Sequence, residues 1–594
     1  MIVILISLDA QWDFCFPLLK IVKNPVMIKY KKLSSARLWR MAGMVCWGVA
    51  AQAAEVPGMS GSMHQQMEND SRRLLQDNSR RFDAIIQQQR LRQMLPDSNT
   101  MHRPEAEDMS ELDCLRVKGV RLAGIKLLSR KEVASLGELA GDCLSNEELN
   151  RYSRALTQLY LKKGYIAARV AAEGPDEQGV LTLRVHEGRV EKIVSADRRS
   201  NPATLFPGVI GRPLNIHDAD QGLDQANRLP SSKATLDILP GETVGGSILS
   251  LRNNMDAPWR LNFNADNTGR DSTGRVQAGV GLSWDSPLGL SDFISVSAQR
   301  TSNDNAVRHS RSESLFYSLP YGYWTFSVFA SRADYLNPLQ LQYSAVNLSG
   351  RTAQSGLRVD RVLSRGQDQT TSLMAQLTHK RVRNYFLDSE IDITSPTLSV
   401  AELGLSRLQL LSGGVLIADA GVQRGTRWLG ASAPDPRSPD GPNPQFTKWK
   451  ASLNWFQSLA LPGGPYQLNS ALVGQTSRDY LPGVEQMDVS DASAVRGFRR
   501  NTLAGETAWS WRNTLSRRFE MAGVGVTPRL GLDGGRVLPN GSVQQWQSIA
   551  GASLGLAFSY RKASLDLEYS RPLHKPAGWQ PEGHQLFARL ALSW

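Results

Sequence analysis

The chain has 594 residues, 41% hydrophobic and 21% charged, with 50 glycines and a formal net charge of +12. Such a composition excludes a disordered or collagen-like polymer, and no run of about 18 apolar residues offers a membrane-crossing helix. The charge is no argument for a nucleic-acid partner: residues 1–54 hold seven Lys or Arg against two acids, and the remaining excess is spread along the chain.

In chain order, residues 1–54 read as a secretory signal. Lys29 to Arg40 is basic, Met41 to Val49 apolar, and Ala51-Gln52-Ala53 a small-residue cleavage site. The stretch before the apolar run is long for a signal, so either the signal is extended or translation starts at Met27. Removal takes Cys15 and Cys46 and leaves Cys114 and Cys143. Two cysteines in an exported chain, with no Cys-x-x-Cys and no nearby histidine pair, favour a disulfide over a metal site.

Residues 62–95 are polar, free of proline and glycine, and carry Met67, Leu74, Leu75, Phe82, Ile85 and Ile86 at roughly helical spacing. A helix with so thin an apolar stripe binds a partner or coiled coil, or plugs a polar cavity. Residues 96–111 are a linker without periodicity. From 112 to 188 the pattern is strand, two helices, two strands. Arg116 to Ile125 alternates, Ser145 with Glu148 forms a capping box for a helix ending at Gly164, and strands follow at Ile166–Ala172 and Val180–Val185. Residues 189–254 repeat it, with a helix at His217–Leu229 and strands at Arg189–Ala196, Lys233–Leu239 and Ser247–Leu251.

Residues 255–594 change texture to short alternating strands. Trp324, Phe326, Val328 and Ala330 share one face, and the last strand aligns Leu586, Ala588, Leu590, Leu592 and Trp594. Period-two alternation alone fits a sandwich or a barrel. The signal, the terminal aromatic and the length decide for a membrane β-barrel of about 16 antiparallel strands, whose closure leaves no edge unpaired. The proline-rich Ala433–Pro444 reads as a surface loop.

Two short motifs stand out in this part. Val495-Arg496-Gly497-Phe498 sets a permanently charged fork between an apolar residue and a glycine, and such a group is tolerated inside a protein if it finds a carboxylate. Asp533, in Gly531-Leu532-Asp533-Gly534-Gly535, is the candidate partner. Enzymatic chemistry is not legible. Gly551-Ala552-Ser553-Leu554-Gly555 matches a nucleophile elbow but lies inside an alternating strand, and that motif needs a strand-to-helix turn. There is no metal-ligand spacing and no phosphate-cradling loop, so neither a cofactor nor a metal is expected.

On these motifs, their order and spacing, the chain resembles the two-partner-secretion transporters, the ShlB/FhaC/HecB (TpsB) family. The barrel entry Asn267-Thr268-Gly269 and the following Asp285-Ser286-Pro287-Leu288-Gly289-Leu290-Ser291-Asp292 resemble it too. The resemblance implies a plug helix at 55–95 and two POTRA domains, at 112–188 and 189–254, ahead of the barrel at 255–594. It also implies a Cys114–Cys143 bridge in the first POTRA and a bacterial outer-membrane location with the POTRA domains in the periplasm. The implied partner is one large secreted protein (TpsA type), a haemolysin, adhesin or contact-dependent inhibition toxin, besides outer-membrane lipid. A monomer without nucleic acid is expected. The rival reading is an insertase for other outer-membrane barrels, against which two POTRA repeats and a plug weigh.

Overall fold

The structure is a computed structural model and describes residues 61–94, 117–137, 139, 144–302, 308–340, 345–366, 368–436, 438, 441–541 and 545–594. The predicted signal, the predicted linker, Cys114 and Cys143 lie outside the described residues.

Helix α1 (Gly61–Met94) comes first. The first α/β repeat follows as β1 (Gly119–Ala123), α2 (Arg130–Ala134), α3 (Asn146–Lys162), β2 (Arg169–Glu173) and β3 (Val180–His186). Its central strand β3 runs parallel to β1 and antiparallel to β2. The capping box forms as expected: Ser145 accepts from the Glu148 amide and Glu148 accepts from the Ser145 amide, so two free amides at the start of α3 are satisfied. Leu156 and Tyr160 of α3 are fully buried against Leu128, Ala168 and Val185. The first strand is shorter than Arg116–Ile125, because the chain turns away at Gly124, whose φ is +83°. Residues 166 and 167 form the turn out of α3 rather than the start of β2.

The second repeat is β4 (Arg189–Ser195), α4 (Pro202–Leu205), α5 (Ile216–Asn227), β5 (Ala234–Pro240) and β6 (Gly246–Asn253), with strand order β4-β6-β5. Val190, Leu205, Phe206, Leu214, Leu249 and Leu251 make its core. The Ile216 amide donates to the Gly164 carbonyl at 2.8 Å, joining the start of α5 to the end of α3.

The barrel strands are β7 (Trp259–Asp266), β8 (Gln277–Asp285), β9 (Phe293–Thr301), β10 (His309–Tyr321), β11 (Trp324–Gln340), β12 (Ala345–Arg365), β13 (Gln369–Phe386) and β14 (Thr397–Leu411). They continue as β15 (Gly414–Thr426), β16 (Thr447–Leu461), β17 (Gly464–Ser477), β18 (Thr507–Ser516), β19 (Val524–Leu538), β20 (Gln547–Tyr560), β21 (Ala563–His574) and β22 (Gln585–Ser593). All sixteen are antiparallel to their neighbours, and β22 closes on β7 with Arg589 opposite Asp266 and Ser593 opposite Asn262. The period of two decides which way each side chain points. On β11, Trp324, Phe326 and Val328 face outward and are exposed, whereas Ser327 and Ser331 face the lumen and are buried. Phe329 breaks the polar rule for lumenal residues, and its ring lies 5.0 Å from that of Phe82 on α1.

Helix α1 therefore lies inside the barrel, against β10 to β13, the turn Gly483–Glu485 and α5. Its 34 residues span about 51 Å at 1.5 Å per residue, long enough to run the lumen. Phe82 packs on Phe316 and Phe329, and Leu75 on Val382, Leu398, Val400 and Phe446. Leu91 packs on Leu408 and Ile417, Met67 is fully buried, and the remainder of its circumference is polar against a polar wall.

The second repeat docks on the short-turn end of the barrel. The Ser231 amide donates to Asp285 at 2.8 Å, and Gln221 and Gln225 of α5 donate to the Gly322 carbonyl at 3.1 and 3.0 Å. Arg228, at the C-cap of α5, is buried and donates to Gln89 of α1, Ser318 of β10 and the Ser291 carbonyl at 2.9, 2.6 and 3.0 Å. One guanidinium thus ties lumenal helix, repeat and barrel rim together.

Candidate functional site in the barrel lumen

The segment between β17 and β18, residues 478–506, folds back into the lumen. The structure brings the two motifs together there. Arg496 is 2% exposed and Asp533, on β19, 3%. The Arg496 Nε donates to Asp533 Oδ2 and Nη2 to Oδ1, each at 2.6 Å, a fork-to-fork pair. The Arg496 amide also donates to Asp533 Oδ2 at 3.1 Å, and Nη2 to the Asn513 carbonyl at 2.6 Å. Glu568 of β21 stands 3.5 Å from Nη1. Two carboxylates and a carbonyl around one guanidinium meet the condition for burying such a charge, which is otherwise strongly destabilising.

The neighbouring residues explain why the motifs are built as they are. Val495 is fully buried with Val489, Phe498, Leu503, Val537 and Ile549. Phe498 meets Trp579 edge-on, ring centres 5.9 Å apart. Gly497 has φ +101°, and a Cβ there would lie 2.6 Å from the Arg571 carbonyl carbon. A Cβ on Gly531 would sit 2.3 Å from Arg496 Cζ, so this glycine is the space the guanidinium occupies. Gly535 leaves room for Val495 in the same way, at 3.1 Å.

Sequence reasoning missed three parts of the site. Gly551, within the stretch dismissed as a chance hydrolase match, has no room for a side chain because the Arg496 carbonyl presses on it, and the β20–β21 register shifts at this point. Glu485 is 3% exposed and bridges Lys380 of β13 and Lys448 of β16 at 2.5 and 2.8 Å, a second anchor of the loop on the wall. The third part is the contact between loop and helix. Arg80 of α1 pairs with Asp491 at 2.8 Å, Arg72 donates to the Gly483 carbonyl and, at 3.0 Å, to Gln486, and Gln76 to the Gln486 carbonyl at 2.9 Å. The signal available was the pair Arg72-Arg73 followed eight residues later by Arg80-Arg81, two basic steps on one helix face. Further along, Arg90 reaches Asp360 and Asp419 at 2.9 and 3.3 Å. Among the described residues no group of three or more His, Cys, Asp or Glu is placed to hold a metal.

In the first repeat, Glu187 accepts from Tyr160, Lys126 and Leu127 at 3.0, 2.5 and 2.7 Å. Burial, with Glu187 alongside, pushes the Tyr160 hydroxyl up out of its ordinary range. Glu132 accepts from Lys163 and Ser129, which hold its carboxyl down at about 2.

Comparison with known proteins agrees with this architecture. Residues 245–558 match the haemolysin secretion/activation protein family ShlB/FhaC/HecB, residues 115–188 the ShlB-type POTRA domain, and residues 189–240 a POTRA domain. The chain is 45% identical over 537 residues to the hemolysin transporter protein ShlB of Serratia marcescens, covering 90% of this chain and 94% of that one. It is 41% identical over 528 residues to the hemolysin transporter protein HpmB of Proteus mirabilis, covering 89% and 93%. Among solved structures, CdiB from Escherichia coli superposes with a TM-score of 0.75 at 28% identity, over 90% of this chain and 99% of that one. Fold and site together define an outer-membrane β-barrel translocator with its POTRA domains in the periplasm. The chain belongs to the haemolysin secretion/activation ShlB/FhaC/HecB family of two-partner secretion.

Proposed function

We propose that this transporter exports a haemolysin-type protein, the cargo class named by its relatives in Serratia marcescens and Proteus mirabilis. The cargo arrives unfolded in the periplasm and is held by the POTRA domains. The edge strands β2 and β5 offer unpaired backbone groups to an extended polypeptide. It then passes through the lumen once α1 has left. The observation that carries this reading is the kind of contact that keeps α1 in place. Apart from the apolar clusters at Phe82, Leu75 and Leu91 and the buried Met67, α1 is held by hydrogen bonds and ion pairs to a polar wall, contacts that water and a passing polypeptide replace at small net cost.

In this reading Val495, Arg496, Gly497 and Phe498 form the translocation loop, and Gly531, Asp533 and Gly535 its seat on the wall. The clamp holds the loop in one conformation while the helix moves. Residues 1–54 act as signal, 55–95 as plug with its linker at 96–111, and Cys114–Cys143 as a staple within the first POTRA. The protein works as a monomer and uses no catalytic chemistry of its own. Co-expression with a candidate haemolysin tests the cargo. Release of active haemolysin that depends on this chain supports the assignment, and equal release without the chain contradicts it.

A further inference from the structure

The outward face of β11–β13 changes character along its height. Val328, Leu357 and Leu377 share one cross-strand row and face lipid. Two rows farther from the POTRA end, Arg332 and Arg381 flank Ala353, and Arg351 lies one row beyond. All three arginines are exposed, and none forms an ion pair among the described residues. Acids stand close but form no ion pair with them: Asp334, opposite Arg351, is bonded to His309 at 3.1 Å, Glu390 pairs with Arg383 at 3.0 Å, and Glu313 lies opposite Arg332.

Arg332 stands eight residues beyond Trp324, which marks the inner edge of the apolar belt on the same strand. At roughly 2.5 Å of height per residue of a tilted strand, the arginines lie about 20 Å above that edge, close to the outer limit of a belt about 25 Å tall. An outward-facing arginine is costly at the bilayer midplane and nearly free at the interface, so this height selects headgroups as its neighbours. A guanidinium matches a phosphate as a two-pronged donor, and alanine between two of them leaves space for the anion.

We propose that this wall is a binding site for the phosphorylated disaccharide of a glycolipid in the outer leaflet, lipid A. Its phosphates sit on Arg332, Arg351 and Arg381, and its acyl chains lie along Val328, Leu357 and Leu377. The site faces away from the lumen and is separate from the export path.

Native mass spectrometry of the full-length, delipidated protein tests this, with bisphosphorylated lipid A, enzymatically dephosphorylated lipid A and phosphatidylglycerol as probes. The wild-type protein retains the bisphosphorylated form preferentially, and the combined Arg332→Gln, Arg351→Gln, Arg381→Gln variant binds it at least about tenfold more weakly. Equal retention by variant and wild type overturns the proposal, with heat-modifiable migration confirming that the variant barrel is folded. If the variant does not fold, the wild type alone decides. Preference for the bisphosphorylated lipid over the other two supports the site, and no preference overturns it.

Discussion

Arg80 on the lumenal helix and Asp491 on the inward loop meet at 2.8 Å, so the helix that fills the barrel is bonded to the loop that is clamped to its wall. The two elements are 411 residues apart in sequence. Breaking this pair loosens the helix without touching the Arg496–Asp533 clamp. Arg80→Ala and Asp491→Ala should each raise the open probability of the pore in planar bilayers. The double variant should add little, with a coupling energy of about 1 kcal/mol for a partly exposed pair.

The clamp itself should behave differently. Arg496→Ala leaves Asp533 buried and unpaired, a loss of about 3–5 kcal/mol at that position. Secretion should fall severely while the barrel still inserts and migrates as a folded species. Arg496→Lys keeps the charge but not the fork, and should restore export only in part. Full export by Arg496→Ala would contradict the role given to the loop.

Gly531→Ala adds a methyl where the guanidinium now lies, and Gly551→Ala adds one against the Arg496 carbonyl. Neither changes a charge. Both should reproduce the secretion defect of Arg496→Ala, measured by cargo released per cell. Gly534→Ala is the control, because its added carbon would meet nothing nearer than 4.0 Å.

How much of this was legible in the sequence follows from what each element rests on. The barrel was readable because alternation on strands such as Trp324–Ser331 is local, and the clamp because Arg496 and Asp533 each stand in a short glycine-bearing motif. The capping box at Ser145 and Glu148 was readable for the same reason. Contacts of α1 were not. Its arginines look like a solvated face, and which wall residue each one meets depends on how the helix is rotated and set in height within the lumen. Phe329 points inward against the polar pattern because Phe82 comes to meet it. Gly551 looked like part of a false motif, since the carbonyl it makes way for is 55 residues distant in the chain.

The first POTRA domain should show a local dependence on acidity. Lys163 and Ser129 hold the Glu132 carboxyl at about 2 in the folded chain, against an ordinary value of 4.5. A carboxyl depressed on folding stabilises above its unfolded value and loses that contribution as pH falls towards its folded one. Protection of the amides in α2 and at the end of α3 against hydrogen exchange, taken relative to the intrinsic rate at each pH, should therefore fall between about pH 4.5 and pH 2. In Lys163→Met that acid-dependent step should be smaller.

The most direct test of the central claim is to hold the helix in place during export. Ser71 of α1 donates to Asn384 of β13 at 2.7 Å, so Ser71→Cys with Asn384→Cys places two thiols for a cross-link. Cargo release in living cells, measured oxidised and then reduced, reads the outcome. Export should stop when the helix is tethered and return when the tether is cut. Undiminished export with the helix covalently fixed in the lumen would contradict the claim that it must leave.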